Sequence, residues 1–137
     1  MKEKVCDLWL EPADYRCIPT SGARAGDGAA IMETGIPLQA KQRFRDIEYD
    51  LGRLLASRGN HVHLLRPGLV SFPIKQYQWS AVSLEVVKRS ANELCTLVGN
   101  MKTLLPRPTS EEQTVSWEEV AKVLSFLPDN ILVISHV

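Results

Sequence analysis

Apolar positions along the chain change their spacing several times, and each change marks an element. Val5 to Leu10 is mostly apolar and Tyr15 to Ile18 follows the turn at Pro12, so both read as short strands. Pro19 to Gly28 gathers Gly, Ser, Thr and Ala, the composition of a loop. From Ala29 to Phe44 the apolar residues Ile31, Met32, Ile36, Leu38, Ala40 and Phe44 fit a helix. Pro37 is acceptable in a first helical turn, where its missing N–H costs nothing. Ile47, Leu51, Leu54 and Leu55 share one face of a second helix, Ile47 to Ala56.

After the Gly59-Asn60 turn, His61 to Leu65 and Leu69 to Ile74 read as strands joined through Pro67-Gly68, an expected antiparallel hairpin. The clearest helix is Ser83 to Leu97. Its stripe is Leu84, Val87, Ala91, Leu94, Cys95 and Val98, and Ser80 or Ser83 is its cap. Lys102 to Leu105 is a strand. Ser116 and Glu119 form a capping box for the next helix, and Asn130 to Ser135 closes the chain as a strand. The order β-β-α-α-β-β-α-β-α-β predicts an α/β protein with parallel crossovers, a three-layer α/β/α architecture and a mixed central sheet. Ligands of such sheets bind beyond the carboxyl ends of strands, here the loops Pro19–Gly28, Lys75–Ser80 and Arg107–Ser116.

Composition narrows the class. The 137 residues suit one domain, 1–137, with one core. Lys plus Arg equals Asp plus Glu at 16 each, so no net charge draws the chain to nucleic acid or an anionic membrane. Cys6, Cys17 and Cys95 are odd in number and widely spaced, which argues against a disulfide framework or a zinc site. His61 and His63 share a strand face but lack a third ligand. The sequence calls for no metal and no cofactor. With no apolar run of signal or membrane length, the expectation is a soluble cytoplasmic protein. No Gly-x-Ser-x-Gly supports serine-type catalysis.

Several segments, taken in order, resemble the macrodomain family, and more narrowly its short bacterial and phage members and the terminal ADP-ribose glycohydrolase branch. Cys6-Asp7-Leu8 is similar to the family's Gly-Asp-Ile/Leu, and Ala13 to Gly22 corresponds to the second strand, ending in Thr-Ser-Gly where the family has an Asn-containing turn. Ala30 to Ala40 resembles the first phosphate loop: Gly35-Ile36 and Leu38-Gln39 match, and Glu33 replaces a glycine. Ser71-Phe72-Pro73-Ile74-Lys75 is similar to a strand ending in the lysine that attacks the ribose in the glycohydrolase branch. Pro106-Arg107-Pro108 and Trp117 flank a last loop in which Thr109-Ser110-Glu111 replaces Gly-Cys-Gly and Gln113 replaces the acidic catalytic residue.

The resemblance implies an adenine-nucleotide site. Asp7 would accept from the adenine amino group; Asp7, Leu8, Gly35, Ile36, Thr109, Ser110 and Gln113 would line the ligand, and Lys75 would be the catalytic candidate. The partner implied is ADP-ribose or a related adenine nucleotide, free or carried on a modified macromolecule.

The chemistry of the loops works against an ordinary phosphate grip. A diphosphate is held by inward-pointing N–H groups, with glycine permitting the close approach. Glu33, Glu111 and Glu112 bring carboxylates to both loops. At about 4 Å and an effective dielectric near 20, like unit charges repel by roughly 4 kcal/mol. A nucleophilic Lys75 needs an acid–base partner, which Gln113 cannot be and Glu111 or Glu112 could replace. Asp7 lies in an apolar stretch and needs a donor, an adenine amino group or a backbone N–H. Tyr77 and Trp79 can stack on a ring or cover a sheet edge. Arg107 can meet a phosphate or join an ion pair. Three functions fit: a binding module with altered phosphate loops, a glycohydrolase using Lys75, and a phage or mobile-element interaction protein that kept the fold and lost the ligand, its cleft filled by Glu33 or Glu111.

Overall fold

The structure, a computed structural model, describes residues 1–109 and 115–135. Its elements are β1 (Lys2–Val5), β2 (Tyr15–Ser21), α1 (Gly35–Arg43), α2 (Ile47–Arg58), β3 (His63–Arg66), β4 (Leu69–Lys75), α3 (Leu84–Val98), β5 (Thr103–Pro106), α4 (Trp117–Leu124) and β6 (Ile131–Ser135). Their order is the one the hydrophobic pattern predicts. The sheet runs β1-β6-β5-β2-β4-β3. Every neighbouring pair is parallel except β3 with β4, the expected hairpin.

Two apolar layers cover the sheet. On one face Val87, Ala91, Leu94 and Val98 of α3 and Val120 and Leu124 of α4 pack on Phe72, Leu105 and Val133. On the other, Ala40 of α1 and Ile47, Leu51 and Leu55 of α2 pack on Ile18, Leu69 and Leu104. Ser83 caps α3 by accepting from the Val86 N–H, and Ser116 with Glu119 forms the capping box of α4.

Several boundaries depart from the pattern; β2, for one, runs on to Ser21 through residues expected to open a loop at Pro19, because Cys17 to Ser21 stay paired with β4. The first strand is Lys2–Val5 rather than Val5–Leu10. Asp7 stops it: its carboxylate accepts from the Trp9 N–H and its carbonyl from the N–H groups of Leu10 and Glu11, a local turn that competes with the ladder. The first helix begins at Gly35 rather than Ala29, because residues 29–31 spend their backbone groups on tertiary bonds. Ala30 donates to Glu48 O and Ile31 to Ala23 O. The third strand begins at His63, two residues late, because residues 60–62 are drawn onto α3 instead.

The sheet opens at one place. Pairing of β2 with β5 covers only Tyr15–Thr103 and Arg16–Leu104. Beyond it β2 continues for five residues paired with β4 alone, and Pro19 lies in that stretch without an N–H to offer β5. The same gap is where chain order reverses across the sheet, the position at which open α/β sheets form a crevice. At its far end a β-bulge sets Thr20 opposite Pro73 and Ser21 opposite Lys75, which re-aims the end of β2.

Candidate functional site

A cleft of about 550 Å³ fills the opening between β2 and β5, within the range of small-ligand sites. Its floor is Pro19, Thr20 and Ser21 of β2. One wall carries Lys75 and Gln78 after β4, another carries Pro106, Arg107 and Thr109 after β5, and the segment Glu33 to Pro37 at the start of α1 closes it from above.

The entry to α1 gives this wall its chemistry. Gly35 is the first helical residue and adopts a φ of +58°, a conformation that suits glycine. The first N–H groups of a helix have no intrahelical acceptor, and Thr34, the N-cap, supplies none from its side chain. Donors and the positive end of the helix dipole therefore meet the cleft at Gly35-Ile36, an arrangement suited to an anion. Glu33 also lines the cleft. Its side chain is exposed, and the cavity beside it remains open.

Two cations complete the lining. Lys75 is half-buried, and its Nζ donates to Gln78 O at 2.9 Å. The Ser21 hydroxyl donates to Gln78 Oε1 at 3.4 Å, so Gln78 links both sides of the bulge. Arg107 sits with its guanidinium 4.4 Å over the Trp117 ring and 3.2 Å from a Glu3 carboxylate oxygen. Among the described residues its ion pair is thus with β1. Flanking Gln78, the rings of Tyr77 and Trp79 stack nearly parallel with centroids 5.1 Å apart. Both are exposed, so they do not cover the sheet.

Of the residues the sequence points to, Gly35, Ile36, Lys75 and Thr109 line the cleft together. Asp7 and Leu8 do not. Asp7 is exposed and satisfied by the Trp9 N–H, and Leu8 is wholly buried in the core under α1 and α2. Trp9 ties that turn to α1 through a 2.8 Å bond from its indole N–H to Gln39 Oε1. Ser110, Glu111, Glu112 and Gln113 lie outside the described residues. Ser21 and Gln78 fall in two of the expected ligand loops without being singled out there, while Ile134 and Ser135 in the lining, and Asn60 beneath it, lie outside those loops. Ser21 carries a recognisable signal, since it ends a strand containing a proline. Ser135 reaches the site only because β6 lies beside β5.

No family model matches this sequence, and no curated protein does. Solved structures do share its fold. The macrodomain of Mycobacterium tuberculosis DarG superposes with a TM-score of 0.77 at 16% identity, covering 98% of this chain and 95% of that one. The macrodomain of Thermus aquaticus DarG gives 0.71 at 17% identity, with 99% and 97% covered. Thermosipho africanus DarTG in complex with ADP-ribose gives 0.65 at 12% identity, over 93% of this chain and 39% of that one. The chain has the macrodomain fold.

Proposed function

We propose that this macrodomain-fold chain is a binding module whose cleft takes ADP-ribose or a related adenine nucleotide. The observation that carries the reading is the joint placement of the Gly35-Ile36 helix start, Lys75 and Arg107 around one cleft at the β2–β5 opening. Helix-start donors and the Lys75 ammonium suit a diphosphate, with Arg107 beside them already paired with Glu3, and the structural neighbour from Thermosipho africanus is in complex with ADP-ribose. Glu33 modifies the grip without closing it: the cleft is open beside it, which speaks against a cavity occluded by that side chain. The partner is the nucleotide, free or on a modified macromolecule.

Calorimetric and thermal-shift titration with ADP-ribose, NAD, cyclic ADP-ribose isomers and AMP tests the reading. A ligand at about 100 times its Kd stabilises the fold by about 2.7 kcal/mol, an easily measured shift. If no adenine nucleotide moves the melting temperature at millimolar concentration, the reading fails.

A second reading, removal of ADP-ribose from a macromolecule, is favoured by Lys75 alone, because this residue lines the cleft. To act as a nucleophile it must give up its bond to Gln78 O and lose a proton. Lys75→Ala then abolishes release of ADP-ribose from a modified substrate, and unchanged turnover in that variant sinks the idea.

A further inference from the structure

Asn60 lies in the connection between α2 and β3 and does not line the cleft, yet it holds the cleft's wall. It is 9% exposed. Its Nδ2 donates to Lys75 O and to Gln76 Oε1, both at 3.1 Å. The same residue is anchored from the other side: its main-chain carbonyl accepts from the Arg89 guanidinium on α3. The next two residues are clamped to α3 as well. Glu93 Oε1 accepts from the Val62 N–H at 3.0 Å, and Glu93 Oε2 meets His61 Nδ1 at 2.8 Å.

The contact extends to the opposite wall. The Gly22 N–H, just past the β2 bulge, donates to Gln76 O at 3.0 Å. A methyl group on Gly22 would stand 2.9 Å from Gln76 Nε2 and 3.1 Å from Asn60 Cγ, so three segments meet there with no spare room. Among the described residues, Asn60 is the one side chain that joins the α3 clamp to the main chain of Lys75. Its own Oδ1 is buried with no partner among the described residues. A half-satisfied buried amide is costly, and such a group calls for an explanation beyond stability.

We infer that Asn60 is a positioning residue for Lys75. Its two donor bonds fix where the lysine leaves the sheet, and hence where its amine stands in the cleft. The inference rests on the reading that the cleft holds an ADP-ribose-type ligand against the Lys75 wall. Sites of this kind tolerate displacements of only about half an ångström.

The test uses Asn60→Asp, Asn60→Ala and Ser90→Ala. Asp keeps the shape but turns the donor nitrogen into an acceptor facing two acceptors, while Ala removes the tie outright. Ser90 is the control: its hydroxyl donates to Pro73 O at 2.6 Å on the same strand and, among the described residues, makes no hydrogen bond to Lys75. Two readouts are taken, the Kd for ADP-ribose and the pH profile of Lys75 acetylation by acetic anhydride, followed by peptide mass mapping. Asn60→Ala, and Asn60→Asp if it folds, should weaken ADP-ribose about tenfold and displace the acetylation profile. Ser90→Ala should lower the melting temperature while leaving both readouts at wild-type values. Wild-type readouts in Asn60→Ala, or equal changes in Ser90→Ala, overturn the inference. If the wild-type protein binds no ADP-ribose, the ligand reading fails by itself, and the acetylation profiles still decide the role of Asn60.

Discussion

Gly52 occupies the middle of α2, where the helix lies directly on the backbone that leads to the cleft. A Cβ there would stand 2.0 Å from Gly28 O, 3.0 Å from Gly28 C and 3.1 Å from Ala30 N. Ordinary carbon contacts need about 3.5 Å, so the main chain must retreat by roughly 1.5 Å in Gly52→Ala. Main chain cannot swing aside as a side chain can. The retreat would also stretch the Ala30 N–H bond to Glu48 O, now 2.8 Å. Overpacking costs about 1–3 kcal/mol and a lost hydrogen bond about 1 kcal/mol. Against this, alanine gains about 1 kcal/mol over glycine in helix propensity. The net is a destabilisation of about 2 kcal/mol, or about 6–8 °C in melting temperature for a chain of this size. Differential scanning calorimetry and urea denaturation measure it. The packing and hydrogen-bond losses oppose the propensity gain, which makes the result decisive. A Gly52→Ala protein as stable as wild type, or more stable, refutes the argument from close packing. Because Ile31 and Glu33 follow this contact into the cleft, the variant should also bind ADP-ribose more weakly than its stability loss alone would cause.

Other expectations follow from single groups. Glu33→Gln removes a carboxylate from the anion side of the cleft. At about 4 Å with water-like screening this is worth about 1 kcal/mol, so ADP-ribose should bind roughly fivefold tighter by calorimetry, and weaker binding would show that Glu33 contacts the ligand favourably. The Asp27 carboxyl is held below its ordinary value of 3.8, first by the Ala29 N–H and then by the Tyr49 hydroxyl. Its contribution is full above that ordinary value and is lost as pH falls through the depressed one, so the melting temperatures of wild type and Asp27→Asn should converge in acid and separate towards neutrality. Divergence in acid would contradict the sign. Burial pushes the Cys17 thiol far up, and Cys17 is wholly enclosed. Iodoacetamide should therefore label the half-buried Cys6 and Cys95 of the native protein and reach Cys17 only on unfolding, as peptide mapping would show.

The fold was legible where a pattern repeats within one element. The α3 stripe, the Ser116–Glu119 box and the Pro67-Gly68 hairpin each rest on local chemistry, and the structure has all three. Boundaries failed where tertiary bonds outcompete local preference: Ala30 and Ile31 look helical until their N–H groups are claimed by Glu48 and Ala23. The site divides in the same way. Gly35, Lys75 and Thr109 carry signals in their own neighbourhoods, and they do converge. Asp7 looked buried because its neighbours are apolar. Only the turn that it caps itself shows that Leu8 goes inward while the carboxylate stays out. Asn60 read simply as half of a Gly-Asn turn, since nothing near it in sequence announces a bond to a residue fifteen positions later.

The early parting of β2 from β5 bears on how such a protein changes over time. The hollow starts with the strands: Pro19 cannot extend the ladder, and β2 pairs with β5 only at Tyr15 and Arg16. A carboxylate such as that of Glu33 can therefore stand at the rim while the aperture beside it stays open. A change in the side chains of the rim alters what can enter without requiring the strands beneath it to be rebuilt.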